Sequence, residues 1–472
     1  MAEALHRLLE RNARKYPAKL AVRYPAGNLA WTWQDLNARA NAAAAALVQA
    51  GIRPGDRVAL LIPNRPGFVQ AYFGILKAGG VVVPINVRLT AGEASYILQD
   101  SGARALIADP TLRETAERAA AGTGVERILG SDELDAPGLA ADPDRPSSLD
   151  ALAEILYTSG TTGQPKGVEL THNAVHSVAS MMAYEIDIRQ DDKVLILMPL
   201  THSAPLNLTL LGAVYCGAAS VLGDFTPGAL VDFSETEKTT HFFGAPVAYL
   251  LGAKLLADSP RDLSSAKCWV YGGAPMSREA VQGVRRAFPG KLVSVYGLTE
   301  SGPNGVALHD EEHEAHAGSI GRAGVVNVEM RVVTPEGRDV PPGEAGEIIM
   351  RTPSALVGYH GNPQATREAL RDGWVWTGDI ARIDEEGYLW IMDRKKDVII
   401  SGGVNVYPKE VEDVLSTHPG VADVAVIGVP HPEWGETVAA VLVARGGQPT
   451  EAELQSFVRE RLADFKVPRL FR

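Results

Sequence analysis

The sequence predicts an α/β protein with three parts: a large N-terminal domain of helix-covered, mostly parallel sheets, a barrel-like β subdomain, and a small α+β C-terminal domain. Three observations carry this reading. Short apolar runs alternate with helical patterns from Leu36 to Tyr296. Period-2 apolar residues with Pro-Gly turns replace that texture between about Gly321 and Arg351. A final segment from about Asp393 mixes a hairpin, two helices and two strands.

In chain order, LNARANAAAAALVQAG reads as a helix ended by Gly51, and DRVALLI (56–62) as a buried strand. PGFVQAYFGILKAG is helical again, followed by the short strand VVVPI. The stretch 135–150, rich in Pro, Asp and Ser, reads as a surface linker. EILYT, KVLILM, AASVLG, HFFG, KCWVYG and KLVSVYG are the next strands, with helices between most of them. VEMRVVTPEGRDVPPGEAGEIIMR suits an antiparallel subdomain. Last come the hairpin VIISGGVNVYP, the helix KEVEDVLSTHPG, the strands ADVAVIGVP and TVAAVLVA, and a helix from Glu451.

Composition narrows the function classes. The 472 residues are 46% hydrophobic and 22% charged, which suits well-filled cores and argues against disorder. The formal charge of -12, without a basic tract, excludes nucleic acid as the default partner. Cys216 and Cys268 are too few for a disulfide framework or a Cys-rich zinc site. The N-terminus has no apolar signal core, so the expected location is cytoplasmic. Val194 to Gly223 carries no Asp, Glu, Lys or Arg, yet Pro199, His202, Pro205 and Asn207 interrupt it. It reads as buried strand, helix and strand rather than a membrane span, with peripheral membrane contact left open.

The main chemical signal is Thr158-Ser159-Gly160-Thr161-Thr162-Gly163-Gln164-Pro165-Lys166-Gly167, directly after the apolar EILY. Backbone N–H groups freed by glycine, hydroxyls and a lysine together can cradle phosphate. It is not a Walker A loop: Pro165 and Gly167 stand where that motif needs Gly and Ser or Thr. The plain alternative is a surface turn. His309-Asp310-Glu311-Glu312-His313 fits an H-x-x-E-H metal pattern, but its charged surroundings read as solvated surface. Cys216 and Cys268 read as inert core residues.

TSGTTGQPKG resembles the signature loop of the adenylate-forming superfamily, which holds acyl- and aryl-CoA synthetases, luciferases and peptide-synthetase adenylation domains. Further segments look like that family's motifs in order: Tyr271-Gly272-Gly273-Ala274-Pro275, Tyr296-Gly297-Leu298-Thr299-Glu300, Trp376-Thr377-Gly378-Asp379, Asp393-Arg394-Lys395-Lys396-Asp397 and Ser401-Gly402-Gly403. The resemblance implies an acyl-CoA synthetase that uses ATP, Mg²⁺ and coenzyme A. It implies an AMP-binding domain over 1–393, a hinge at 394–396 and a small mobile domain over 397–472.

By the same resemblance, Thr158 to Gly163 and Lys166 hold the outer phosphates, and Thr299 meets the α-phosphate. Glu300, with Thr158, holds Mg²⁺, a hard ion that favours oxygen donors. Gly272, Gly273, Ala274 and Pro275 form the adenine-contacting turn, Tyr296 belongs to the ATP/AMP site, Asp379 and Arg394 reach the ribose, Gly402 and Gly403 the pantetheine, and Lys396 is the hinge. His202, Tyr271 and Gly297 belong to the acyl pocket. The pocket segments Pro199–Asn207, His241–Pro246, Tyr271–Gly273 and Tyr296–Asn304 contain no Lys or Arg. That disfavours a dicarboxylate and favours a medium- or long-chain fatty acid, with an aromatic acid second. Loading of a carrier protein, and an impaired nucleotide- or acyl-adenylate-binding protein, are the alternatives. A homodimer is left open.

Family members continue past Phe465-Lys466-Val467-Pro468 into a tail with a Gly-Lys whose lysine bridges the carboxylate and the α-phosphate. This chain stops at Arg472. One transition-state cation is worth about 3 kcal/mol. Pyrophosphate release is therefore expected to be slower than in a full-length relative, while a preformed acyl-adenylate still passes to CoA. Equal steady-state rates of pyrophosphate release would contradict this.

Overall fold

The computed structural model describes residues 4–135, 145, 148–158, 164–401, 404–431, 434–447 and 449–472. Ser159 to Gly163, Gly402, Gly403 and most of the expected linker lie outside the described residues. The architecture is α/β, and the chain divides into two compact units: Met1–Met330 with Met350–Val375, and Arg331–Ile349 with Trp376–Arg472.

The first unit holds two large sheets. One runs in the spatial order Val306–Leu308, Lys291–Tyr296, Cys268–Gly272, His241–Gly244, Lys193–Ile196, Ala219–Leu222, Leu20–Tyr24 and Leu29–Thr32. It is parallel except at its two edges. The other runs Gly358–Tyr359, Lys166–Thr171, Leu152–Thr158, Val81–Pro84, Arg57–Leu61, Ala105–Ala108 and Arg127–Gly130. It is parallel from Leu152–Thr158 outward, and antiparallel where Lys166–Thr171 folds back.

Alternation along each strand explains the layering. Val58 and Leu60 join an inner core with Val194 and Ile196 of the other sheet, packed around helices Leu5–Lys15, Trp33–Gln49, Pro66–Lys77 and His172–Glu185. Their neighbours Ala59 and Leu61 face helix Ala91–Ser101 on one outside. Leu195 and Leu197 face helices Pro227–Thr236, Pro246–Asp258 and Arg278–Ala287 on the other. Strands buried on both faces need continuous apolar runs, which is how they read in the sequence.

The second unit carries antiparallel strands Trp374–Ile383 and Leu389–Arg394 beside Ala345–Arg351. A further sheet runs Val404–Val406, Ile399–Ser401, Gly435–Ala444 and Val421–His431. Leu470–Phe471 adds parallel to Gly435–Ala444. Helices Pro408–Ser416 and Glu451–Arg459 cover one face through Val411, Leu415, Leu454 and Val458.

One expected helix differs in kind. SAPLNLTLLGAVYCG forms a π-helical segment, Ala204–Leu210, that continues as the α-helix Leu211–Cys216. Thr209 Oγ1 donates to Pro205 O at 2.5 Å, and such side-chain competition for carbonyls accompanies wide turns. Among the described residues no helix is long and apolar enough to cross a membrane.

Candidate active site

Strands Lys193–Ile196, Ala219–Leu222, His241–Gly244, Cys268–Gly272 and Lys291–Tyr296 all run parallel. Their carboxyl ends therefore form one rim, the place where open α/β sheets bind ligands. Pro199–Asn207, Gly273–Pro275 and Gly297–Ser301 follow three of these strands onto that rim. Gly272 pairs with Val295, so the two glycine turns lie side by side.

The other sheet supplies the loop stem. Thr158 and Lys166 are cross-strand partners, so both ends of the Ser159–Gly163 segment are held at one register. Lys166 Nζ lies 5.2 Å from the centre of the Tyr359 ring, a cation–π distance. Tyr359, paired with Val168, donates its hydroxyl to Glu300 Oε1 at 2.7 Å. Glu300 also accepts the Leu356 N–H on its carbonyl at 2.9 Å. Thr299 opens the 3-10 turn Thr299–Ser301, and its Oγ1 is 3.0 Å from Ser203 Oγ. A cation, a carboxylate and three hydroxyls from four segments thus come together. Such a set can bind a polyanion, and its all-oxygen donors suit a hard cation.

Glycine is required at two places here. A Cβ on Gly297 would sit 2.0 Å from Pro303 O, and one on Gly272 would sit 2.8 Å from Val295 O. Gly273 has φ +82° and opens the exposed turn with Ala274 and Pro275. Tyr296 is half-buried.

Tyr271 is fully buried in the outer core, and its hydroxyl meets His313 Nε2 at 3.1 Å. Burial pushes that hydroxyl up to about 12, so it stays neutral. Only the Tyr271 backbone lies along the rim strand. His313 Nδ1 is 2.8 Å from His309 O, so both ring nitrogens are engaged. The stretch 309–313 is thus solvated only in part: the expectation of a wholly exposed segment is corrected at His313, which is 1% exposed. His202 is exposed, with Nε2 3.5 Å from Asn86 Nδ2. Burial pushes the thiols of Cys216 and Cys268 up to about 11 and about 12, which disarms them as nucleophiles.

In the second unit, Asp379 and Arg394 are cross-strand partners, with Arg394 Nε 2.7 Å from Asp379 Oδ1. Glu347 holds the turn beside them. Its Oε1 accepts the Gly378 N–H at 3.0 Å, and its Oε2 pairs with Lys395 Nζ at 2.8 Å. Lys396 is exposed.

Sequence reasoning passed over Ser203, Tyr359, Glu347 and Glu154. Ser203 lay within a pocket segment but was not singled out. Tyr359 sits in no motif, and only the fold places it against Lys166 and Glu300. Glu154 had a legible signal, a lone charge within the apolar strand Leu152–Thr158.

Residues 9–360 match the AMP-binding enzyme family, and residues 410–472 match the AMP-binding enzyme C-terminal domain. The chain is 42% identical over 471 residues to a feruloyl-CoA synthase from an Amycolatopsis species, covering 97% of this chain and 92% of that protein. It is 37% identical to a long-chain-fatty-acid–CoA ligase of Mycobacterium tuberculosis, covering 98% and 93%. The o-succinylbenzoate CoA synthetase of Bacillus subtilis, solved with its acyl-adenylate intermediate, superposes with a TM-score of 0.88 at 31% identity, over 98% of this chain and 93% of that one.

The tight approach at Gly297 yields a stability prediction. Gly297→Ala must push the turn away from Pro303, at a cost of about 2–3 kcal/mol. The midpoint of the first urea transition should fall accordingly, and an unchanged midpoint would contradict the packing described.

Proposed function

The chain belongs to the AMP-binding enzyme family and is an AMP-forming acyl-CoA ligase by class, and from that premise we propose that it activates an apolar carboxylic acid lacking a second charge, an aromatic acid first. In the first step a carboxylate oxygen attacks the α-phosphorus of ATP, the bond to the β-phosphate oxygen breaks, and pyrophosphate leaves. In the second the CoA thiolate attacks the acyl carbon, a C–S bond forms, and AMP leaves.

The observation that carries the residue roles is the chain Lys166–Tyr359–Glu300, with Ser203 bonded to Thr299. Lys166 and the Thr158–Gly163 segment are proposed to hold the outer phosphates, and Thr299 to donate to the α-phosphate. Ser203, by engaging Thr299 Oγ1, sets that hydroxyl's rotamer. Mg²⁺ would supply charge neutralisation on the phosphates, and Glu300 and Thr158 would hold it. Tyr359 orients the Glu300 carboxylate for that task. Asp379 and Arg394 are proposed for the ribose, Gly402 and Gly403 for the pantetheine, and Lys396 for a hinge between 1–393 and 397–472.

One observation supports an aromatic acid over a fatty acid, reversing the order that segment composition alone suggests. The relatives at 42% identity are feruloyl-CoA synthases. The fatty-acid reading is supported by the M. tuberculosis relative.

With ATP, Mg²⁺ and CoA, cinnamic-type acids should exceed C8–C16 fatty acids in kcat/KM by about tenfold, since one well-filled aromatic site is worth ~1–2 kcal/mol. Malonate should give no thioester. A fatty acid at the top of the panel would overturn the substrate assignment while leaving the reaction class intact. Lys166→Ala and Glu300→Gln should each lower ATP–pyrophosphate exchange about 100-fold or more, as expected when a group that stabilises developing charge is removed. Unchanged exchange in both variants would remove the assigned roles.

A further inference from the structure

Glu154 is fully buried on the strand that leads into the Thr158–Gly163 segment, on the face shared with Leu156. A carboxylate in that position is costly unless hydrogen bonds hold it. It has two. Tyr72 donates its hydroxyl to Oε1 at 2.5 Å, and Asn207 Nδ2 donates to Oε2 at 3.2 Å. The second amide hydrogen of Asn207 goes to Gly302 O, also at 3.2 Å. Because the amide faces two acceptors, its NH₂ rather than its oxygen must point to them.

Asn207 lies one turn beyond Ser203, and both act on the same short segment. Ser203 meets Thr299 at its start and Asn207 holds Gly302 at its end. The π-helical segment therefore grips the Thr299–Gly302 turn at two points. Glu154 ties the second grip to the strand carrying the phosphate loop.

We propose that Glu154 is a positioning residue for ATP, which locks the loop-bearing strand to the Thr299–Gly302 turn through Asn207. This rests on the adenylation reading above. Without the acceptor on Glu154, one Asn207 N–H is orphaned in an apolar layer and the turn loses its fixed distance from Thr158. The groups facing Glu154 are few. Strands Val81–Pro84 and Lys166–Thr171 present Val82 and Leu170 at its register, and helix Pro66–Lys77 presents Tyr72. Tyr72 is held far above the ordinary phenol range by burial and by Glu154 itself, so it stays a neutral donor.

Burial pushes Glu154 up to about 7, against the pull of its two hydrogen bonds. The ionised form is the stronger acceptor, so the grip is tightest above that pH and loosens as pH falls through it. A glutamine there keeps a neutral version of the same network: its oxygen accepts from Asn207, and its NH₂ donates to the Tyr72 oxygen.

The test measures the equilibrium dissociation constant of ATP and, separately, the KM for ATP, for the wild type, Glu154→Gln and Glu154→Leu. Thermal melts confirm folding. Glu154→Leu should weaken ATP binding about tenfold at pH 8 with a smaller change in kcat, the effect of losing one buried hydrogen bond to a charged group. Glu154→Gln should bind within about twofold of wild type at pH 8. It should also lack the wild-type loss of affinity between pH 8 and 6, a difference that cancels ATP's own titration. If Glu154→Leu does not fold, the Glu154→Gln pH comparison decides alone. Equal pH profiles for the wild type and Glu154→Gln, or unaltered affinity in a folded Glu154→Leu, would refute the proposal while leaving the function standing. A wild type that binds no ATP would sink both.

Discussion

The constraint on which the first unit depends is its shared inner core. Two sheets bury one face each against the same helices, and Val58 and Leu60 reach the same apolar layer as Val194 and Ile196. Apolar burial of this extent is worth far more than any single polar contact. It leaves the strands no freedom to slip, since a one-residue shift would turn Ala59 and Leu61 inward and their partners outward. Every loop at the rim therefore starts from a fixed point. The loop after Thr158 and the turn after Tyr296 belong to different sheets, and the common layer sets the separation that polar contacts then refine.

Polar groups placed inside such a layer carry disproportionate geometric information. Apolar contacts tolerate small rotations, whereas a hydrogen bond weakens steeply with angle. The inner layer holds Glu154, Asn207 and Tyr72 in direct contact, each without solvent exposure. Their location between the two loop-bearing elements gives the rim an angular reference that packing by itself lacks. The π-helical winding of Ala204–Leu210 belongs to the same arrangement, because it brings Ser203 and Asn207 onto one turn.

Most of the fold was legible in the sequence because both-face burial writes long apolar runs. Strands such as His241–Gly244 and Cys268–Gly272 appear where HFFG and KCWVYG stand. The hairpin around Ile399–Ser401 and the helix Pro408–Ser416 were equally readable from turn residues and 3.6-residue periodicity. What local pattern could not express were pairings across the chain. Tyr359 lies 59 residues from Glu300 in sequence, and no spacing rule connects them. Tyr271 shows the converse. Its motif suggests a side chain in the pocket, but strand alternation sends that side chain to the outer core and His313. A residue's place in a motif does not fix the direction of its side chain.

In the second unit the segment before Lys396 is held by several bonds. Lys395 is tied twice: its N–H donates to Gly378 O at 2.8 Å, and its ammonium pairs with the buried Glu347. Glu347 in turn caps Gly378, whose φ of +71° lets the chain turn into Asp379. Arg394 is fixed by strand pairing and by its ion pair with Asp379. Lys396 is exposed, and the turn that contains it is closed by the Asp397 N–H, which donates to Arg394 O at 2.9 Å. The Lys395 amide lies upstream of rotations at 395 and 396, so its bond to Gly378 survives both. Rotation at 395 strains the pair with Glu347, and rotation at 396 opens the Asp397–Arg394 bond and the 3.0 Å bond from the Lys409 N–H to Asp393 Oδ2. A hinge at Lys396, as proposed, would spare the ion pairs of Arg394 and Lys395 and would have to open the Asp397–Arg394 and Lys409–Asp393 bonds.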